Sequence, residues 1–452
     1  MKINYENVKD HNEVVIYGAG NLLERCISLL DPKLKIIAVA DNDCGKWGKV
    51  FTERKLPCIR PGNITEGVQA VIIAVDAPEA VLCISEELDK RGIEYCHIRD
   101  AVRAYLPVYD AEILDKMDFS WHEKPYGKMM KFIDITVPVA ACNLKCSYCY
   151  LQQEYRTQKP MLHTPKYIRA ALSQERLGGS AFLNFCGTGE TMLLEELVPV
   201  FEELLREGHY IQVVTNGTIT QGLDRLFHIK ADLTRIFIKF SFHYLEFKRL
   251  DLLTVFSENV KKARQMGCSV SVELAPNDEL IPYIDEVKEF SVREFGVLPH
   301  LTVTRDQGTS ELKILSRYTN DEYYNIWKSF DSSMFNFKME NLGKRRVEHC
   351  MAGVYSPQLD LESGNLYKCA YNPLLDNIYR NLREPIYLEA VGEKCCLPYC
   401  FNCHAYLALG LIEEIPAPTY YELRDRVTGD GQHWVNSTLK EVFTQKLFEN
   451  NC

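Results

Sequence analysis

The chain has 452 residues, 46% of them apolar and 25% charged, which excludes a disordered chain, a collagen-like fibre and a low-complexity protein. At about 100–200 residues per domain, this length divides into roughly two to four domains. With 52 Lys plus Arg against 62 Asp plus Glu, the net charge of -10 argues against nucleic acid as an obligatory partner, because phosphate contact needs excess basic charge.

In chain order, the first ten residues lack the apolar stretch of a secretory leader. No window approaches about 18 uninterrupted apolar residues. A cytoplasmic, soluble protein without a membrane partner is therefore expected. Seventeen cysteines, grouped rather than evenly spread in a long unsignalled chain, point to metal or cluster ligation before disulfides. Five of them, Cys26, Cys44, Cys58, Cys83 and Cys96, have no ligand spacing and read as small buried hydrophobes.

Residues 1–105 alternate short apolar runs with helical stretches: Val14–Tyr17, then 35–39, then 70–75. Such runs, bounded by turns, predict buried parallel strands and a Rossmann-like α/β domain. Gly18 and Gly20 stand where the first strand turns into a helix, where backbone amides can approach a phosphate. Leu23 replaces the third glycine of G-x-G-x-x-G. Asp41, about twenty residues on, is placed either to accept a ribose hydroxyl or to form a turn with Asn42 and Asp43. The Tyr17-Gly18-Ala19-Gly20 opening and the later Asp41-Asn42-Asp43 resemble small Rossmann-like domains joined to bacterial enzymes of surface-sugar and nucleotide-sugar metabolism. A partner-binding or architectural role is the alternative.

Residues from about 102 to 130 show no sustained period and read as a linker, with 106–130 as its bounds. From 131 to 320 the alternation resumes. Candidate strands are 132–137, 181–185, 211–215, Ile236–Phe242, Ser269–Leu274 and 300–304, with helical patterns such as 194–206 and 257–266 between them. Strand–helix repeats with right-handed crossovers predict an open, partial (β/α)6 barrel with function at the C-terminal strand ends.

Directly after the first of these strands comes Ala141-Cys142-Asn143-Leu144-Lys145-Cys146-Ser147-Tyr148-Cys149, a C-x3-C-x2-C loop. Three thiolates can hold three corners of an iron–sulfur cube and leave one iron open, whereas structural zinc takes four protein ligands. The second strand is followed by Cys186-Gly187-Thr188-Gly189-Glu190-Thr191, the third by Thr215-Asn216-Gly217-Thr218, and the fourth ends near Ser241 and His243. Together these motifs resemble the radical S-adenosylmethionine (SAM) superfamily, over residues 131–305. Thr188 and Thr191 replace the first Gly and the Pro of its Gly-Gly-Glu-Pro element.

The resemblance implies a 4Fe-4S cluster on Cys142, Cys146 and Cys149 and SAM bound to the open iron. It also implies a 5'-deoxyadenosyl radical that abstracts hydrogen from substrate. The backbone of the element holding Gly187, Gly189 and Glu190 would meet the methionyl ammonium, Ser241 and His243 the ribose or carboxylate, and Tyr148 the adenine, with Asn216 at a further cofactor-binding strand end. A flavodoxin- or ferredoxin-type electron donor is implied as a partner. Cys186 and Cys268 read as core residues first and as hydrogen donors second.

After a connecting segment, 321–349, a second cysteine zone spans 350–410. Cys350, Gly364 and Cys369, then Cys395, Cys396, Cys400 and Cys403, resemble the twitch form of the SPASM auxiliary-cluster domain. On that match Cys350, Cys369, Cys400 and Cys403 ligate one auxiliary 4Fe-4S cluster; Cys395 or Cys396 could replace Cys400, and a zinc knuckle is the alternative. Gly364 is expected to turn a hairpin. Residues 411–452 form a C-terminal extension. The expected function is a radical SAM oxidoreductase or epimerase acting on a sugar or nucleotide-linked sugar, with peptide side-chain modification as the alternative.

Overall fold

The computed structural model describes residues 5–8, 11, 13–52, 54–64, 70–116, 123–149, 161–306, 313–369, 373–393, 395, 397–400 and 402–451. The chain divides into two compact units: residues 1–119 with 162–167, and residues 120–161 with 168–452. Among the described residues no helix is long and apolar enough to cross a membrane.

The N-terminal unit is built on strands β1 (Val14–Tyr17), β2 (Ile36–Ala40), β3 (Val50–Phe51), β4 (Leu56–Ile59), β5 (Ala70–Ile73) and β6 (Glu94–His97), in the order β3-β4-β2-β1-β5-β6. All neighbours pair in parallel except β3 with β4. The parallel strands alone run 3-2-1-4-5 in their own chain order, the Rossmann arrangement. Val14 and Ile16 feed the core on one face, and Val15 and Tyr17 the core on the other. Both faces are thereby sealed, which is why these strands are continuously apolar.

Here the linker expectation is corrected. A helix runs Ile98–Lys116, with Ala101, Val102 and Leu106 in the core. Its apolar stripe is hidden in sequence because fully buried Asp110 interrupts it. That carboxylate accepts from Thr164 N at 2.9 Å and lies 3.2 Å from His163 Nδ1. Both partners belong to the short segment that rejoins this unit.

The second unit carries β7 (Lys131–Val137), β8 (Ala181–Gly187), β9 (Tyr210–Thr215), β10 (Ile236–Phe242), β11 (Ser269–Leu274) and β12 (His300–Leu301), all parallel in sequential order. These are the six strands of the partial barrel. Three more follow: β13 (Gln358–Asp360), β14 (Asn365–Tyr367) and β15 (Leu374–Asn377). β13 pairs in parallel with β7, and β14 turns back antiparallel on β13. The second cysteine zone is thus continuous with the barrel sheet. Gly364, at φ +76 in the β13–β14 turn, faces Tyr379 so closely that a Cβ would stand 2.3 Å from its ring, and only glycine fits.

In-register residues on parallel strands share a face, so Asp134, Asn184, Gln212 and Phe237 point inward together. The C-terminal extension closes the floor. Phe443 packs edge-on against Phe182 and Phe237 with ring centroids 5.0 and 5.6 Å apart, and Tyr420 meets Phe132 at 6.0 Å. Burying a side chain of this size contributes about 2–3 kcal/mol. Val270 N also donates to Trp434 O at 3.0 Å, fixing the extension to the start of β11.

Candidate active site

The three-cysteine loop emerges from the end of β7. Lys145 N donates to Glu246 at 2.8 Å, Ser147 Oγ to Glu279 at 2.8 Å, and Cys149 N to Cys146 O at 3.1 Å. Cys142, Cys146 and Cys149 are all partly exposed. Among the described residues no three His, Cys, Asp or Glu side chains are already drawn around one point. The thiols nevertheless act on one another: burial, then Glu246, Cys142 and Cys149, push the Cys146 thiol up to about 12. What fits an iron–sulfur cluster is the donor set itself: three partly exposed thiols in one C-x3-C-x2-C loop, the soft ligands such a cluster takes.

The loop after β8 lies against the root of the cysteine loop. Gly189 N donates to Val139 O and Glu190 N to Ala141 O, both at 2.8 Å. A Cβ on Gly189 would stand 2.0 Å from Ala141 O, so glycine is required there by backbone approach alone. The Glu190 side chain turns inward, is 2% exposed, and accepts from Asn216 N at 2.6 Å and Met192 N at 2.9 Å. Burial raises its carboxyl against these hydrogen bonds. Asn216 in turn donates to Asn143 Oδ1 at 2.8 Å, and Asn143 to Thr218 Oγ1 at 2.8 Å. Glu190 and Asn216 therefore brace three strand-end loops to one another with their side chains. Asn143, Thr218, Glu246 and Glu279, partners in this lattice, were not singled out by sequence.

On the far side of the loop, the Tyr148 hydroxyl lies 2.6 Å from His243 Nδ1. Burial lowers His243 to about 4 and raises Tyr148 well above its ordinary value. The ring is neutral and the phenol protonated at pH 7, and the two share a hydrogen bond whose donor is set by the ring's tautomer; Tyr148 is also hydrogen-bonded to Cys146. Ser241 stands two residues earlier on β10, half-buried.

Beneath these loops the barrel encloses a chamber of about 520 Å³, walled by Gly187 and Thr188 together with Asp134, Cys186, Lys239 and His404. Cys186 corrects the expectation of a core residue: it is exposed to the chamber, whereas Cys268 is buried at 4%. Burial by the surrounding walls still pushes the Cys186 thiol up to about 11, so it stays protonated. Asp134 accepts from Asn184 Nδ2 at 2.6 Å, and burial raises its carboxyl. Polar residues at one phase in successive strands were the unused sequence signal: Asp134, Asn184, Gln212, Lys239 and Glu273 interrupt otherwise apolar strands.

In the second zone Cys350 and Cys369 are 8% and 7% exposed. Cys369 Sγ lies 4.0 Å from the Tyr406 hydroxyl. Cys400 also acts on Tyr406, and Cys395 acts on Cys350, whose thiol burial pushes up to about 11. Cys396 and the side chain of Cys403 lie outside the described residues.

The glycine loop of the N-terminal unit is closed on its own aspartate. Gly18 N donates to Ala40 O at 2.7 Å, and Gly20 precedes a helix of 6 residues, Asn21–Cys26. Asp41 accepts from Ala19 N at 2.7 Å, Asp43 N at 2.8 Å and Lys46 Nζ at 3.1 Å. Burial raises its carboxyl, but these bonds outweigh it and leave the value lowered.

No protein-family model matches the chain, and no curated protein matches it. Among solved structures, the chain is similar to Streptococcus suis SuiB bound to precursor peptide SuiA, with 14% identity over 67% of this chain and 76% of that one and a TM-score of 0.40. It is likewise similar to native anSMEcpe with bound AdoMet, with 15% identity over 55% and 79% and a TM-score of 0.38. A third similar structure is BtrN in complex with AdoMet and 2-DOIA, with 12% identity over 56% and 79% and a TM-score of 0.32.

Proposed function

We propose that the chain is a radical SAM enzyme that abstracts hydrogen from a substrate lodged in the barrel chamber. The observation that carries the reading is the joining of the cysteine loop to the loop after β8 by Gly189 N and Glu190 N, with Gly187 and Thr188 walling a polar chamber below. Cys142, Cys146 and Cys149 would hold a 4Fe-4S cluster, which together with SAM supplies the one-electron chemistry that side chains lack. Gly187 and Gly189 offer backbone to the methionyl end. Ser241 and the Tyr148–His243 pair offer polar groups to the rest of SAM.

Cys350, Cys369, Cys400 and Cys403 would ligate an auxiliary cluster, with Cys395 or Cys396 as the alternative to Cys400. The chain's own residues also bear on the outcome. Cys186, a neutral thiol on the chamber wall, can return a hydrogen atom to a substrate radical, giving epimerisation; the resulting thiyl is re-reduced by the electron donor. Without that return, a base such as Asp134 would take the proton, and an auxiliary cluster, if bound, would supply the one-electron acceptor that oxidation needs.

The closed glycine loop weighs against a nucleotide-linked sugar, because its anion position already holds Asp41. A sugar without a nucleotide and, as the second reading, a peptide side chain remain served by the chamber. The test is anaerobic reconstitution with iron and sulfide, followed by reduction in the presence of SAM. Release of 5'-deoxyadenosine and methionine is expected, and a fully loaded protein that releases neither refutes the reading.

A further inference from the structure

At the chamber, Lys239, Lys338 and Arg424 are gathered around Asp134 and Glu273. Lys239, Arg305, Lys338 and Arg424 all line the chamber. Glu273 is shared by Lys239, at 3.0 Å, and Arg424. Two cations thus divide one carboxylate. Asp134 is held by neutral amides, those of Asn184 at 2.6 Å and Asn402 at 3.4 Å.

Lys338, on the helix Ser333–Asn341, has no acid of its own. Its Nζ donates to Thr302 Oγ1 at 2.9 Å, and no carboxylate among the described residues stands at ion-pair distance. Burial lowers its ammonium well below the ordinary range; Glu273 opposes this, while Lys239, Arg424 and Arg305 add to it. A buried cation short of a counter-charge is costly until an anion arrives. The cavity is also of the size that takes a small ligand or one anchored group.

We propose that the chamber takes its substrate by an anionic group, a carboxylate or a phosphate, anchored at Lys338 with Arg305 beside it. This deepens the radical reading of the same site and rests on it for the identity of the chamber as the substrate's place. The two sources of such an anion are a peptide carboxylate and a sugar phosphate. Anchoring at Lys338 leaves the remainder of the substrate in the same cavity as Cys186 and the Gly187–Thr188 wall.

The experiment is calorimetry on the cluster-loaded full chain with matched pairs of probes. N-acetylglutamate methylamide is compared with N-acetylglutamine methylamide, and glucose 6-phosphate with glucose. The anion of at least one pair is expected to bind about tenfold or more tighter than its neutral partner, the weight of a charge-assisted hydrogen bond; the pair that responds identifies the source. Lys338→Met should abolish the preference and Lys338→Arg should keep it, both checked for folding by circular dichroism. Absence of preference in both pairs, including absence of binding, overturns the proposal. So does a preference that survives in folded Lys338→Met. Release of 5'-deoxyadenosine by the same preparation is read separately, so failure of the radical reading leaves a different record.

Discussion

Two parallel sheets in one chain differ in what their strands enclose. In the N-terminal unit, Val14–Tyr17 and Ala70–Ile73 are buried at every position and apolar on both faces. The barrel strands instead carry Asp134, Asn184, Gln212, Lys239 and Glu273 on the inward phase, above the aromatic floor of Phe132, Phe182 and Phe237. An open sheet covered on both sides has no lumen, and at the end of its first strand the glycine loop is closed by Asp41 on Ala19 N. A curled sheet has an inside, and a polar phase on its strands keeps that inside open to a ligand. Strand direction and topology class alone therefore do not locate a site; the phase of the polar residues does.

The largest expected effect breaks the barrel side of this contrast. Replacing Cys142, Cys146 and Cys149 together by Ala should abolish SAM cleavage and remove about half of the roughly eight irons expected for two cubes. Iron analysis and chromatography of 5'-deoxyadenosine check both, and cleavage retained in the triple variant would sink the ligand assignment.

Next comes Glu273→Gln, which strips Lys239 and Arg424 of their shared carboxylate. Breaking a buried pair from one side costs about 3–5 kcal/mol, measurable by denaturant unfolding at pH 7. Burial pushes the Glu273 carboxyl up, but Lys239 and Arg424 outweigh it and leave the value lowered. Its contribution is therefore fully present above the ordinary glutamate range, near about 4.3, and is lost as pH falls through the lower folded-state value. The gap between wild type and variant should narrow on acidification, and a constant gap would contradict the pairing.

Gly189→Ala sharpens the description of the loop after β8. Its Cβ would meet Ala141 O at 2.0 Å, and forced overpacking of this kind costs about 1–3 kcal/mol. The cysteine loop should shift with it, so cluster loading should fall along with thermal stability. Unaltered loading and stability would show that the approach is looser than described.

The smallest effect tests the other sheet. A Cβ at Gly20 meets nothing within 4 Å, so Gly20→Val should change stability by less than about 0.5 kcal/mol. Calorimetry of the full chain with a uridine-diphosphate sugar and with NAD should give no tight binding, because the ligand must displace Asp41 from Ala19 N. Tight binding lost in Gly20→Val would restore a nucleotide site to this unit.

Much of the architecture was legible in local patterns. The continuous runs of the first unit and the strands at 132–137, 181–185 and Ile236–Phe242 were placed by periodicity, and Gly364 by the need for a turn between short strands. The helix Ile98–Lys116 was hidden because the partner of Asp110 lies more than fifty residues away, at His163. At the site, cysteine spacing and the Gly-Thr-Gly-Glu string marked two loops that the fold joins through Gly189 N and Glu190 N, yet the bracing role of the Glu190 side chain, which accepts from Asn216 N and Met192 N, was invisible.

By itself, then, the sequence determined the central strands of both sheets, where the thiols cluster and that the hairpin turn needs Gly364, since each depends on neighbours within a few residues. Only the tertiary structure decided that Cys186 faces a cavity rather than a core, that Asp41 closes its own glycine loop, and that Lys338 from a distant helix enters the chamber. These outcomes depend on sheet curvature, inter-strand register and the return of the C-terminal extension to the barrel floor. They join residues on different strands and helices, or turn a side chain inward or outward, and no local period encodes either.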